Sequence, residues 1–403
     1  MKFIHTADWQ IGMTFHGFKE KSRIMMEDDR LEVIEAIGEY ANKTQNGIDF
    51  VLVCGDMFET PRVSEVLVKK TFKKIERIDR PVYVLAGNHE WQGTEYMFAS
   101  KFFLENKPAN LHVLVAGVNT VEGLTGVEII AAPLEGKEDE IDLVKAQIDL
   151  LNATTNIRII AGHGSIDAIM PAGARKDLIA IAPIEKALID KKIHYVAMGD
   201  RHSTTKVGDT GLIWYSGAPE PTSFTEDDQR NVLAVEISTD GTVKVEKVEV
   251  GQWDFIRLGT KFEQHQLRTK LDLADLEKLV DKIRKHSKTA IKIYLDSVLD
   301  FDTDVRRRNL FDEWEDDVLA RFEVSESSKG ASIESDPLTE KAPAGLSGYA
   351  LSAYDELKEL AMSDDDESEI ALEALKLLTE FAGGNKWRFI NFGPKMSAAF
   401  QAV

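Results

Sequence analysis

The sequence is poorest in thiols. One cysteine, Cys54, stands in 403 residues, which excludes an internal disulfide framework and any multi-cysteine zinc or iron–sulfur site. Long apolar runs are missing too. No stretch reaches the roughly 18 uncharged apolar residues of a membrane span, so no membrane protein is expected. Basic residues are outnumbered, 49 lysines and arginines against 69 acids, for a formal net charge of −20. Contact with nucleic acid therefore cannot rest on a generally basic surface. Asp8 falls too early for the apolar core of a secretory leader, and the expected location is cytoplasmic. What is present, 43% hydrophobic and 29% charged residues, is ordinary globular composition, enough for about two or three domains.

Residues 1–250 read as one α/β unit. Short β-rich runs recur at 2–6, 50–54, 82–85, 111–115, 128–132, 157–161, 194–198, 212–215 and 231–237. Between them lie helical patterns, for instance Leu31, Ile34, Ile37 and Ala41 at spacings of three and four. The runs lack alternation, which suggests strands buried on both faces beneath flanking helices. The later strands lie closer together with glycine-containing turns, so the sheet is expected to be mixed. Residues 251–323 read as a small α+β domain, with strands at 254–257 and 290–295 around a helix at 273–285. Residues 324–348 are rich in Ser, Gly and Pro, as flexible linkers are. Residues 349–403 hold two helical segments, 349–362 and 369–382, separated by the acidic run 363–369.

The polar residues of metal chemistry sit at strand ends. Run 2–6 leads into Asp8 and Gln10, run 50–54 into Gly55 and Asp56, and run 82–85 into Gly87, Asn88, His89 and Glu90. Run 157–161 leads into Gly162 and His163, and run 194–198 into Gly199, Asp200 and His202. Singly, each is ordinary turn chemistry. Five in order are not, because loops beyond the carboxyl ends of parallel strands gather into one crevice. The preceding glycines allow close backbone approach there. Carboxylates, carboxamides and imidazoles without thiolate suit Mn²⁺, Mg²⁺ or Fe²⁺ better than structural zinc. Asp8, Gln10, Asp56, Asn88, His163, Asp200 and His202 are too many candidates for one ion with open positions and suit two. Two ions about 3.5–4 Å apart clamp the attacking and leaving oxygens of a phosphoryl displacement. Asp56, directly after a central-looking strand, is the natural bridge.

The order of these motifs resembles the calcineurin-like metallophosphoesterase superfamily. Within it, His5-Thr6-Ala7-Asp8-Trp9-Gln10-Ile11-Gly12, Gly87-Asn88-His89-Glu90 and the 214–221 run are similar to the SbcD-type DNA repair exonucleases. The resemblance covers residues 1–235. It implies a sandwich of mixed β-sheets flanked by helices and a DNA phosphodiesterase with exonuclease and endonuclease activity in double-strand break repair. It implies two divalent ions, Mn²⁺ foremost, and partnership with an SMC-like coiled-coil ATPase of the SbcC type and with a second copy of the chain. Asp8, Asp56 and His202 would serve one ion, with Asp56 bridging to another held by Asn88 and His163. His89 would be the non-ligating catalytic histidine. Gln10 and Asp200 stand where the family usually has histidine. Oxygen in place of imidazole favours harder ions or weakens the site. By position alone, the small domain would cap DNA and the last helices would dock the ATPase.

Other features have plain readings beside functional ones. Residues 94–105 read as a helix whose aromatics either pack inward or form a homodimer interface. The apolar face from Ile370 to Phe381 either packs back or enters a partner's groove. Arg306-Arg307-Arg308 is either a solvated face or a phosphate contact. Cys54 reads as a core residue, and His5 as structural. Two other functions stay open: a phosphoesterase of small molecules or phosphoproteins on the same fold, and a DNA-tethering subunit with a weakened site. The acidity carries its own prediction. The chain alone should bind DNA weakly, its affinity changing little across a salt titration; a steep salt slope in fluorescence anisotropy would contradict it.

Overall fold

A computed structural model of the chain describes residues 1–92, 95–134, 141–170, 178–259, 288–294, 322–324, 346–363 and 367–382, together with isolated positions at 277–278, 280–281, 306, 309–310, 313–314, 338 and 342. Two compact units divide the chain. The first comprises Met1–Arg257, Asp281–Lys292 and Val318–Arg321, and the second the remainder.

The first unit is built on two six-stranded sheets. One contains β1 (Lys2–Thr6), β2 (Phe50–Cys54), β3 (Val82–Leu85), β6 (Leu111–Val113), β13 (Asn231–Ile237) and β14 (Val243–Glu249), in the order β14-β13-β1-β2-β3-β6. Strands β1, β2, β3 and β6 run parallel, while β13 and β14 join antiparallel. The other contains β7 (Gly117–Thr120), β8 (Val127–Ala132), β9 (Ile157–His163), β10 (Tyr195–Gly199), β11 (Thr205–Val207) and β12 (Ile213–Tyr215), in the order β11-β12-β10-β9-β8-β7. Its inner four strands are parallel and its two edges antiparallel. Both sheets are mixed, as the turn spacing implies. The edges β7, β11 and β14 carry too few apolar residues to stand out in the sequence, and β14 turns Lys and Glu toward solvent.

Period-two side-chain geometry explains the unbroken apolar runs. On β2, Phe50, Leu52 and Cys54 face the second sheet, while Val51 and Val53 face helices. Those helices are α1 (Glu20–Asn42) and α2 (Glu65–Ile75), whose Ile34, Ile37, Val68 and Phe72 cover the first sheet. Helices α4 (Leu143–Asp149) and α5 (Ile181–Ile189) cover the second with Val144, Ile148, Ile184 and Leu188. The result is a helix–sheet–sheet–helix sandwich. Cys54 is fully buried, as expected. His5 is structural: its Nδ1 lies 3.0 Å from the Tyr195 hydroxyl and its Nε2 3.2 Å from the Met198 carbonyl, tying one sheet to the other.

The helix expected over 94–105 does not form. Thr94 lies outside the described residues. Glu95 and Tyr96 form β5 (Glu95–Tyr96), paired with β4 (Trp91–Gln92). A short 3-10 turn follows, and Ser100, extended at φ −63°, ψ 142°, caps α3 (Lys101–Asn106) by accepting from the Phe103 amide. Pairing with β4 and this cap override the local helical pattern. Met97, Phe98 and Phe103 go into the core, and Leu104 points out.

Strands β15 (Trp253–Gly259), β16 (Lys288–Tyr294) and β17 (Phe322–Val324) lie near the expected positions of the second domain's strands. The helix expected at 273–285, the linker at 324–348, Arg307, Arg308 and the centre of the acidic run lie largely outside the described residues. Arg306 pairs with Glu277 at 3.0 Å. In the second unit, α6 (Tyr349–Ala361) and α7 (Ser368–Ala382) pack on each other through Tyr354, Ala371 and Leu375, and leave Tyr349, Met362 and Ile370 exposed.

Burial holds the His5 pKa down to about 3 from its ordinary 6.5, against a smaller upward pull from its bond to Met198. The unfolded chain thus takes up a proton that the folded chain refuses, so stability falls as pH drops from 6.5 toward 3. In urea titrations between pH 6.5 and 5, the native chain should lose stability about 1.4 kcal/mol per pH unit more steeply than His5→Leu. Parallel curves would count against this reading of His5.

Candidate metal centre

Five loops leave the carboxyl ends of β1, β2, β3, β9 and β10 and meet above the seam between the sheets. Their backbone is held in unusual shapes. Asp8, Gln10, Asp56 and Asp200 have φ of 53°, 49°, 52° and 94°, a region that costs a non-glycine residue on the order of 1 kcal/mol or more. The glycines permit contact closer than any side chain allows. A Cβ on Gly87 would lie 2.2 Å from Asp56 Oδ1, and one on Gly199 would lie 1.9 Å from the Cys54 carbonyl oxygen.

At the centre, a carboxylate oxygen of Asp8, one of Asp56 and a ring nitrogen of His163 lie within 4.8 Å of one another, all buried. His163 gives its Nδ1–H to the Cys54 carbonyl at 2.8 Å, which turns Nε2 inward, 3.4 Å from Asp56 Oδ2 and 3.0 Å from Asn88 Oδ1. Asn88 is thereby brought to the cluster. Gln10 reaches it through its amide nitrogen, which donates to Asp56 Oδ2 at 3.1 Å. Asp200 enters through its backbone: its N–H donates to Asp8 Oδ1 at 3.1 Å, while its carboxylate accepts from the Ser165 hydroxyl at 2.7 Å. His202 stands outside the tight triad, with Nδ1 bonded to Thr222 Oγ1 at 2.6 Å. His89 lies at the mouth with its side chain 33% exposed, Nδ1 2.6 Å from the Glu59 carbonyl oxygen and Nε2 3.8 Å from Asp56 Oδ2.

The electrostatics are those of a site short of positive charge. Burial, with Asp56 and Asp200 nearby, lifts Asp8 to about 6 even against the pull of His202 and His163. Burial also opposes charge on Asp56, but His163 and His89 outweigh it and keep this carboxyl below its ordinary value. His163 is raised well above its ordinary value, burial being overcome by Asp56, Asp8 and Asp200. His202 is held at about 9, where burial is overcome by its bond to Glu226 and by Asp8. No lysine or arginine among the described residues pairs with Asp8 or Asp56. Buried carboxylates, an inward-facing imidazole nitrogen and an amide oxygen, with only imidazoles to balance them, form a donor set that fits divalent cations.

Several supporting residues carry no role in the sequence reading. Glu90, fully buried, accepts from the amides of Asp56, Phe58 and Gly87 at 3.1, 3.1 and 2.8 Å and so clamps the β2 loop to the β3 loop. Burial and the charge of Asp56 lift it to about 7. Arg30 on α1 donates to the carbonyls of Trp9, Glu220 and Pro221. Glu226 backs His202. Ser223-Phe224-Thr225-Glu226 matches the Ser-x-x-Glu pattern in which a glutamate reaches back to a backbone amide, and that was the available signal. Gly87 offers a test. Gly87→Ala should displace Asp56 and abolish the rise in melting temperature that Mn²⁺ produces in the native chain; an undiminished rise would show that Asp56 takes no part in cation binding.

Comparisons place this geometry among known proteins. Residues 1–204 match the family described as Calcineurin-like phosphoesterase. Three relatives are named as nuclease subunits of SbcCD. That of Staphylococcus epidermidis is 23% identical over 251 residues, covering 57% of this chain and 64% of its own. That of Bacillus subtilis is 27% identical over 269 residues, covering 56% and 63%. That of Escherichia coli K12 is 24% identical over 279 residues, covering 62% and 67%. The chain thus spans less than two thirds of the length of the first two. With half of its length matched and the site built on the same strand ends, the chain belongs to the calcineurin-like phosphoesterases, a family of metal-dependent hydrolases.

Proposed function

We propose that the chain is the nuclease subunit of a DNA repair complex, a two-metal phosphodiesterase that cleaves DNA exo- and endonucleolytically and pairs with an SMC-like coiled-coil ATPase. The observation that carries this reading is the buried Asp8–Asp56–His163 cluster with His89 at its mouth, in a chain similar to three nuclease subunits. Asp56 sits between the two halves of the site, next to Gln10 on one side and His163 on the other. Asp8, Asp56 and His202 would hold one divalent ion; Asp56, Asn88 and His163 the other, with Gln10 and Asp200 beside the first. Mn²⁺ best suits this oxygen-rich set. Bound ions would supply positive charge at the phosphate and acidify a water for in-line attack.

The chain's own part lies in orientation and proton transfer. His89 has Nδ1 committed to the Glu59 carbonyl, which aims Nε2 toward the Asp56 side of the opening, where its N–H can pass to the departing oxygen. Further along the chain, residues 251–323 would cap the DNA, and α6 and α7 beyond the 324–348 linker would dock the ATPase through the side that exposes Tyr349, Met362 and Ile370. A homodimer belongs to the same reading, with Leu104 the exposed apolar residue of the 94–105 segment. A cytoplasmic setting accords with these partners.

Purified chain should degrade single-stranded DNA with Mn²⁺ and turn over a cyclic nucleotide far more slowly. His89→Ala should lower turnover at least about 100-fold while retaining bound Mn²⁺; Asp56→Asn should lose both. Undiminished cleavage in both variants would refute the assignment, and faster turnover of the cyclic nucleotide would replace DNA with a small-molecule substrate.

A further inference from the structure

The loop after the glycine at 217 carries a carboxylate that the catalytic scheme does not use. Glu226 is 6% exposed, yet it lies in a polar stretch far in sequence from every strand-end motif but the last. Its position is fixed by several donors. The amide of Thr222 donates to Oε2 at 3.0 Å, and the amide of Ser223 to Oε1 at 3.0 Å. The Thr222 hydroxyl also donates to Oε1. His202 closes the arrangement: its Nδ1 lies 2.6 Å from Thr222 Oγ1 and 3.2 Å from Glu226 Oε1. The Thr222 hydroxyl has spent its proton on Glu226, so toward His202 it can only accept. The carboxylate can only accept as well. Nδ1 of His202 must therefore carry a proton, which leaves Nε2 as the ring nitrogen free to bind a cation.

We infer that Glu226 is a positioning residue for His202, acting directly and through Thr222 to fix the imidazole with Nδ1 protonated and Nε2 available as a metal donor. This rests on the reading of His202 as a metal ligand. A carboxylate behind a ligating imidazole locks its tautomer and orientation and strengthens it as a donor. The support extends outward. Gln229 donates to the Glu226 carbonyl at 2.6 Å, and its side-chain oxygen accepts from the amide of Phe255 at 3.2 Å. The loop that orients His202 is thus braced against β15.

Mn²⁺ titration of the full chain by calorimetry tests this, with His202→Ala, Glu226→Ala, Glu226→Gln and Thr222→Val beside the native chain. Glu226→Ala and His202→Ala should each weaken one Mn²⁺ site about 10- to 100-fold, with Thr222→Val and Glu226→Gln intermediate. Glu226→Gln keeps a side-chain carbonyl for the loop amides, so it guards against a loss that reflects only a loosened loop. In the Mg²⁺-loaded chain, selectively ¹⁵N-labelled histidine should give a slowly exchanging Nδ1–H resonance for His202 that is lost in Glu226→Ala. If His202→Ala loses a site while both Glu226 variants bind Mn²⁺ as the native chain does and keep that resonance, the inference is overturned and the metal reading stands. If the native chain binds no Mn²⁺, both fall together.

Discussion

Two carboxylates buried side by side are the constraint on which the rest of the structure turns. Asp8 and Asp56 sit in a seam between apolar sheets, where isolated charge is expensive. Everything close to them reduces that cost or holds them in place. His163 faces them because its other nitrogen is tied to Cys54. The backbone amides of Asp200 and His89 point at Asp8 and Asp56 respectively. The loops adopt left-handed φ values because only then do short side chains from neighbouring strands converge. Gly87 and Gly199 lack side chains because there is no room for any. A divalent cation completes such a set better than any protein side chain could, since it brings two charges into the space of one atom.

Around that centre lies a second layer that works by gripping backbone. Glu90 joins the loops of β2 and β3; Arg30 joins the Asp8 loop to the 220–221 segment; Glu226 joins that segment's continuation to His202. Glu220 carries the chain of contacts further, accepting from the amides of Gln252 and Trp253 where β15 begins. Asp29, next to Arg30 on α1, accepts from the Trp253 indole and from Lys288. The metal loops and the start of β15 are therefore held by adjacent residues of one helix.

The inner architecture was legible in the sequence because the strands that matter most are buried on both faces and so read as unbroken apolar runs ending in Asp, Asn or His. The edges were not, since β7, β11 and β14 expose half their side chains and resemble loops. The 94–105 segment misled because pairing with β4 and the Ser100 cap act across a pattern that is locally helical. Asp8, Asp56, Asn88 and His163 could be brought together on paper through the strand-end rule alone. Arg30 and Glu226 could not, because their worth depends on partners fixed by the fold: Arg30 meets Glu220 across 190 positions. Gln10 was expected to offer an oxygen, but its amide nitrogen faces Asp56, a choice set by the neighbouring carboxylate and invisible to spacing.

The antiparallel pairing of β1 with β13 has a consequence for how the chain comes into being. Strand β1 lies between β2 and β13, and His5 pairs with Leu233. At ordinary elongation rates, on the order of ten to fifty seconds separate the emergence of the two strands from the ribosome. Throughout that interval one edge of β1, with Phe3 and Ile4, has no native neighbour, and Asp8 has no Asp200 amide to receive. The first metal loop to be made is among the last to be finished. Folding is therefore governed by long-range closure, which is slow and exposes strand edges to other chains, and abundance in the cell should depend on what shields the nascent N-terminal half.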